Sequence, residues 1–230
     1  NTAAIVAGGL LGLLFKNLLT KSMEDTLLKA SSVCVLFIGI GGAMSQMLKL
    51  TDGVLATSGS MMLIICFVLG GLVGELLNIE GAFERFGAWL RKKTHNESDS
   101  GFLSGFIHAS LTVCIGAMAI VGSIQDGLLG DASLLCAKAA LDAVIILVMT
   151  ASMGKGCIFS AIPVAILQGG VTLLSRVIAP VMTDVAIASL SFTGSVMIFC
   201  VGVNLIWGKT IKVANLLPTL VFAVVYTFLF

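Results

Sequence analysis

The chain has 230 residues, 58% of them hydrophobic and only 11% charged, with a formal net charge of +1. A soluble domain carries about 25% charged residues, and the mean hydropathy of +1.10 makes lipid the natural solvent here. A secreted domain, a disordered tail and a cytosolic enzyme are excluded, and so is a nucleic-acid binder, which would carry a basic patch or stripe.

A helix needs about 20 mostly apolar residues to cross the hydrocarbon core of a bilayer. Eight segments come close: 2–20, 29–49, 54–79, 102–125, 131–153, 157–177, 184–207 and 213–230. The expected fold is therefore all-α, a polytopic transmembrane helix bundle of about eight spans forming one domain over 1–230. The charged run Lys21 to Asp25, a short turn at 50–53, the glycine-rich stretch 123–131, Pro180 and the pair Lys209 and Lys212 mark the breaks. Pro163 and Pro218 fall within spans, and Pro163 with Gly169-Gly170 leaves the sixth open to being re-entrant, which would reduce the count to seven. Asn1 is not a methionine, so a few residues are expected before it. The first apolar run lacks a basic flank and a small-residue cleavage site, and reads as a span rather than a signal peptide.

Between the third and fourth spans lies the one substantial hydrophilic stretch, 80–101. Ala82, Phe83, Phe86, Trp89 and Leu90 have helical spacing there, with Arg85, Arg91, Lys92 and Lys93 on the polar side. This pattern predicts an amphipathic helix lying at the membrane interface. Alternating the loops between two sides places Lys16, Lys21, Lys29, Arg85, Arg91, Lys92, Lys93, Lys155, Lys209 and Lys212 on one side, and only Lys49, Lys138 and Arg176 on the other. The excess of cations predicts that the 80–101 segment is cytoplasmic and both termini are outside. The sequon Asn96-Glu97-Ser98 would then escape glycosylation.

A weak internal repeat is visible. Thr51-Asp52, Gly59-Ser60, Met62 and Cys66 recur as Thr183-Asp184, Gly194-Ser195, Met197 and Cys200, which would relate two four-span halves in parallel. A competing match of 5–30 with 120–139 would invert them, and chance similarity remains a third reading.

Charged side chains at the bilayer centre cost ~2.5–3.5 kcal/mol on insertion scales, so they mark sites by default. Asp142 lies at the middle of the fifth span, four residues after Lys138, which follows Asp131 by seven. At 100° per residue the three fall within about 40° on one face. Two readings are open: a self-neutralising i,i+4 ion pair, or a carboxylate that couples to a proton or cation. Neighbouring spans carry polar stripes, Gln168, Thr172 and Ser175 in the sixth, and Asp184, Ser191 and Ser195 in the seventh. These join helices by hydrogen bonds or line a path. His108, a turn or two inside the fourth span, is a satisfied hydrogen-bonder or a proton relay. The run from Gly122 to Asp131 reads as a glycine-loosened connection with Asp131 as the N-cap of the fifth span. As an outer vestibule, Gln125, Asp126 and Asp131 would attract positive charge.

Six cysteines are scattered without C-x-x-C spacing and read as core filler. With only two histidines, no metal site and no cofactor is expected. No H-E-x-x-H or G-x-S-x-G occurs, so an enzyme is not expected either.

The opening run from Asn1 to Gly12, and the run Cys114-Ile115-Gly116-Ala117-Met118-Ala119-Ile120-Val121-Gly122-Ser123-Ile124-Gln125-Asp126-Gly127-Leu128 followed by Lys138 and Asp142, resemble the YdfK/YqgA-like family of bacterial integral membrane proteins. The resemblance spans essentially the whole chain. It implies a bacterial inner membrane and supplies no substrate or catalytic residue, the family being catalogued as a domain of unknown function.

The leading expectation is a small secondary carrier or ion-conducting protein for a cationic or proton-coupled substrate. Asp142 would bind the coupling ion with Lys138 as its counter-charge, and Gln168, Ser191 and Ser195 would supply neutral oxygens. The alternative is a structural or regulatory membrane protein that recruits a partner through the 80–93 helix. Lipid and a small ion or metabolite are the expected partners, nucleic acid is not, and the many small-residue spacings suit a homo-oligomer.

Overall fold

The structure is a computed structural model that describes residues 1–16, 18, 20–51, 54–97, 100–115 and 117–229. Helix accounts for 85% of it. In chain order the helices are α1 (Thr2–Lys16), α2 (Lys21–Met47), α3 (Ser60–Leu77), α4 (Ile79–Lys93), α5 (Phe102–Cys114), α6 (Ala117–Leu129), α7 (Ser133–Met153), α8 (Ala161–Leu173), α9 (Ser175–Ile178), α10 (Asp184–Trp207) and α11 (Pro218–Leu229). Short 3-10 turns at Lys155–Ser160, Ala179–Val181 and Val213–Leu216 lead into or out of them.

Among the described residues, five helices are long and apolar enough to cross a membrane: Lys21–Met47, Ser60–Leu77, Ser133–Met153, Lys155–Leu173 and Asp184–Trp207. The α5–α6 pair passes the same test as one unit, although it is bent by 60°. Thr2–Lys16 and Val213–Leu229 are apolar but shorter.

The broken element is thus the fourth segment and not the sixth. Pro163 is the third residue of α8 and Pro218 the first of α11. First-turn amides have no intrahelical acceptor, so a proline there removes nothing. Gly169 and Gly170 face open space, and α8 runs through them to Leu173.

The third span starts at Ser60, later than its hydropathy suggests. Before it, β1 (Leu48–Thr51) pairs antiparallel with β2 (Val54–Thr57), with Thr51 opposite Val54. Asp-Gly between two β-prone runs is a strong hairpin signal, and the apolar average over 54–59 overrides it. Asp52 and Gly53 themselves lie outside the described residues, as does Ser98 of the sequon. Residues paired in the parallel repeat sit in different local structures. Thr51 is in a strand whereas Thr183 caps α10 by accepting from the Ala186 amide, and Ser60 begins a helix whereas Ser195 is mid-helix.

α5 is the centre of the bundle. Every residue from Gly105 to Val113 is buried, the polar His108, Ser110 and Thr112 included. Phe102, Phe106, Ile146, Met149, Val164, Met197 and Val201 form the main core around it. Glycines let the outer helices approach closely, as small residues do between membrane helices. A Cβ on Gly8 or Gly12 of α1 would meet the Ala143 or Leu147 carbonyl of α7. Met62, Cys66, Gly70 and Gly74 repeat every four residues and form the buried face of α3 against Thr219 and Asn215.

Outward, the helices present large apolar side chains, including Leu14, Phe37, Met61, Leu72, Leu76, Val144, Ile166 and Leu173. An apolar exterior of this extent needs hydrocarbon against it. Cys66 and Cys157 are buried, while Cys34 and Cys136 face outward.

The amphipathic helix is present as α4, and part of its apolar stripe packs on protein: Leu90 is buried and Phe83 and Phe86 are half-buried, while Ala82 is exposed. Gly87 lies against Leu103 and Phe106, and the Phe86 and Phe106 rings are 5.9 Å apart. Trp89 remains 56% exposed.

Candidate functional site

Lys138 and Asp142 occupy successive turns of α7, 6% and 3% exposed. Lys138 Nζ donates to both carboxylate oxygens, at 2.9 and 2.8 Å. Asn1, at the start of α1, donates its side-chain amide to Asp142 Oδ2 at 2.7 Å, and its own Oδ1 is buried without a partner. Desolvation of two charges is tolerable only with this kind of multiple satisfaction. Cys114, the last residue of α5, is within electrostatic reach of both charges, so the pair sits beside the α5–α6 break.

The remaining path residues do not join this group. No hydrogen bond links Gln168, Ser191 or Ser195 to the pair among the described residues. Gln168 is 7% exposed with its Nε2 unpartnered. Ser195 donates to the Ser191 carbonyl at 2.7 Å and lies where a Cβ on Gly42 would touch it, which puts it at the α2–α10 contact. Ser175 similarly fills the close approach at Gly127 of α6.

The expected vestibule is reorganised. Residues 122–129 are helical, because α6 runs to Leu129 and the chain turns only at Gly130, whose φ is +69°. Gln125 and Asp126 are half-buried on that helix, and Asp131 is exposed beyond it rather than on the face of Lys138. Ala132 takes the N-cap position of α7. Asp131 precedes it and accepts from the Ser133 amide at 3.0 Å. Ser133 holds its carboxyl below the usual carboxylate range. None of the three lines either of the two 440 Å³ cavities.

One of these cavities is a second polar site. It is lined by Glu80, Glu84, Ser104, His108, Asn204 and Lys209 over a floor that includes Leu28, Ile107, Leu111, Met153 and Leu205. Asn78, in the left-handed conformation at φ 49°, ends α3 and begins α4, so one helix passes into the next without a loop. Asparagine tolerates that conformation better than other side-chain-bearing residues. Glu80 follows in the first turn and is 5% exposed. Its Oε2 accepts from the Ala214 amide at 3.0 Å, and its own amide donates to Asn215 Oδ1 at 2.7 Å. Asn215 Nδ2 donates to Glu75, which also pairs with Lys212 at 2.5 Å. Lys209 bridges Glu84 and Glu80, the latter at 3.3 Å. The hydrogen bond to Glu84 raises the lysine above its ordinary value against partial desolvation, with help from Glu80, so it stays charged at neutral pH.

His108 Nδ1 lies 2.8 Å from the Ser104 carbonyl and 3.2 Å from the Ser104 hydroxyl; the shorter contact, to an oxygen that only accepts, assigns the proton to Nδ1. The neutral ring therefore carries its lone pair on Nε2. The sequence points to His108 alone. Glu80 and Lys209 are 129 positions apart, and no local spacing connects them.

Asn204 holds the rim. Its Oδ1 accepts from the Thr210 and Ile211 amides and the Thr210 hydroxyl, and its Nδ2 donates to the Ile211 carbonyl. Asn204→Ala is expected to destabilise the protein by about 2 kcal/mol, the usual range for orphaned buried groups. Denaturant unfolding in detergent measures it, and an unchanged midpoint would mean that water replaces these bonds.

A helical bundle with an apolar exterior, a bent central element and a buried ion pair is the architecture of a polytopic α-helical membrane protein. The chain belongs to the family described as "Protein of unknown function (DUF554)", which matches residues 1–228. It is 26% identical over 228 residues to a Bacillus subtilis (strain 168) protein named "Uncharacterized membrane protein YdfK", covering 99% of this chain and 93% of that one. It is 27% identical over 224 residues to an Escherichia coli (strain K12) protein named "Uncharacterized protein YqgA", covering 97% and 92%. No solved structure matches.

Proposed function

We propose that the protein is a small carrier or ion-conducting protein of the bacterial inner membrane, moving a cation or coupling to protons, and not an enzyme. The observation that carries this reading is the Lys138–Asp142 pair, buried midway along α7 beside the break between α5 and α6. Broken helices in transporters expose backbone groups where a path needs them, and intramembrane carboxylates mark such paths. Asp142 exchanges Lys138 for the coupling cation or proton. Gln168, with an unpartnered amide nitrogen, supplies a neutral polar group. Ser191 and Ser195 complete the path, with Gln125, Asp126 and Asp131 toward its outer mouth.

In this reading the whole chain is one transmembrane domain. The five long helices, the α5–α6 pair and the two shorter apolar helices make eight spans, with α4 and the cavity rim cytoplasmic and both termini outside. Leu28, Ser100, Met153 and Lys209 around one cavity support this sidedness, since they gather the cation-rich connections at one end. The small-residue faces leave room for a homo-oligomer.

The alternative, a non-transporting structural protein, draws support from the full pairing of Asp142 by Lys138 and Asn1. Its partner-recruiting version would use the exposed Ala82 and Trp89 of α4, since α5 packs on the Phe86 and Gly87 part of the stripe.

Proteoliposome flux separates the two. Imposed gradients of protons and monovalent cations are expected to drive flux in wild type, and none in the Lys138→Gln/Asp142→Asn double variant, whose stability is checked alongside. Undiminished flux in a folded double variant would sink the assignment of Asp142.

A further inference from the structure

The cavity between α4, α5 and α10 shares no residue with the Lys138–Asp142 pair. Its charged lining is two carboxylates and one ammonium, so it carries one uncompensated negative charge when His108 is neutral. His108 is only 9% exposed, and its Nδ1 is committed to the Ser104 carbonyl. His108 lines the cavity, and its Nε2 has no protein partner among the described residues and is not sealed from solvent. Lys209 comes from the connection after α10, is 48% exposed in its side chain, and places its ammonium between Glu80 and Glu84. The floor beneath these groups is aliphatic: Ile107, Leu111, Leu205 and Val213.

We propose that this cavity is a binding site for a primary alkylammonium ligand, and that Lys209 is a tethered stand-in occupying the ammonium position when the site is empty. Lys209 is itself a primary alkylammonium, so the chemistry the site accepts is written in the group that fills it. A free ligand displaces Lys209 toward solvent, takes its place between Glu80 and Glu84, and donates a remaining N–H to His108 Nε2. Its apolar body covers the aliphatic floor, which the polar end of Lys209 leaves uncovered. A quaternary ammonium matches the charge but has no N–H to give, and an anion would have to seek Lys209 against the two carboxylates.

Isothermal titration of the detergent-purified full chain with n-butylammonium tests this, with tetramethylammonium and butyrate as comparators. Lys209→Ala removes the competitor at an exposed position and is expected to tighten n-butylammonium about tenfold, a gain of about 1.4 kcal/mol. Glu84→Gln added to Lys209→Ala is expected to cancel most of that gain, and Glu84 is exposed enough for the variant to fold. The readout is amine binding rather than flux, and no cavity residue belongs to the Lys138–Asp142 pair, so a failure here is distinct from a failure of the transport reading. The proposal is overturned if Lys209→Ala binds n-butylammonium no tighter than wild type does. Equal binding of tetramethylammonium to that variant, or tighter binding of butyrate than of the amine by wild type, would overturn it as well.

Discussion

Asp142→Asn alone is expected to destabilise the protein by roughly 3–5 kcal/mol, the range for breaking one side of a buried ion pair. The side chains of Lys138 and Asp142 are 8% and 4% exposed, so neither charge has water to fall back on. In the variant the ammonium keeps a neutral amide in place of a bidentate carboxylate. Asn1 loses its acceptor on Oδ2 as well.

The double replacement Lys138→Met/Asp142→Leu is expected to recover most of the loss, because buried pairs exchange for apolar residues of similar volume at little cost. Unfolding in mixed micelles, single variants beside the double, gives the comparison. A single variant within about 0.5 kcal/mol of wild type, the span of ordinary surface substitutions, would mean that water reaches the pair. Stability and flux report different things here. The pair can be dispensable to the fold once both members are removed and still be required for transport.

The second large effect is expected at Gly74. A Cβ there would sit 1.8 Å from the Asn215 carbonyl oxygen and 2.6 Å from its carbon, both backbone atoms that no rotamer change can move. Gly74→Ala must therefore push α3 away from the Val213–Leu216 turn. That strains the bonds of Asn215 to Glu75 and Glu80, and through them the start of α4. A loss of about 2–3 kcal/mol is expected from such overpacking.

Gly71 is the control within the same helix. Its Cβ would meet only the end of Leu216 at 3.5 Å, an ordinary contact. Gly71→Ala is expected to be neutral or to stabilise by up to about 1 kcal/mol through helix propensity. Thermal unfolding of the two variants side by side decides the matter, and equal midpoints would refute the close approach of α3 to that turn.

The i,i+4 spacing of Lys138 and Asp142 was readable as one helix face, and their pairing follows from that geometry. Asp131 was placed on the same face by the same arithmetic, and this fails because α7 begins only at Ser133. Helix phase means nothing across a boundary. Ser191 and Ser195 were likewise readable as one stripe, but a stripe does not say which helix covers it; the structure turns Ser195 toward α2.

The run 122–129 looked like a loop because it holds two glycines and an aspartate. Gly127 is there for the approach of Ser175 and Thr172 instead, and the break falls earlier, between α5 and α6. Glycine signals freedom and closeness alike, and only a neighbour tells the two apart.

By itself the sequence determined the solvent, the helical character, the shared face of Lys138 and Asp142 and the amphipathic α4, since each rests on composition or on a period of a few residues. Tertiary structure alone decided that α5 is the enclosed centre, that α4 lies on protein, and that the α5–α6 element is the bent one. It alone joined Glu80, Glu84, His108 and Lys209 around one cavity. Those features depend on which helix faces meet, whether neighbours such as Gly87 and Phe106 or residues as far apart as Glu80 and Lys209, and local hydropathy carries no information about that.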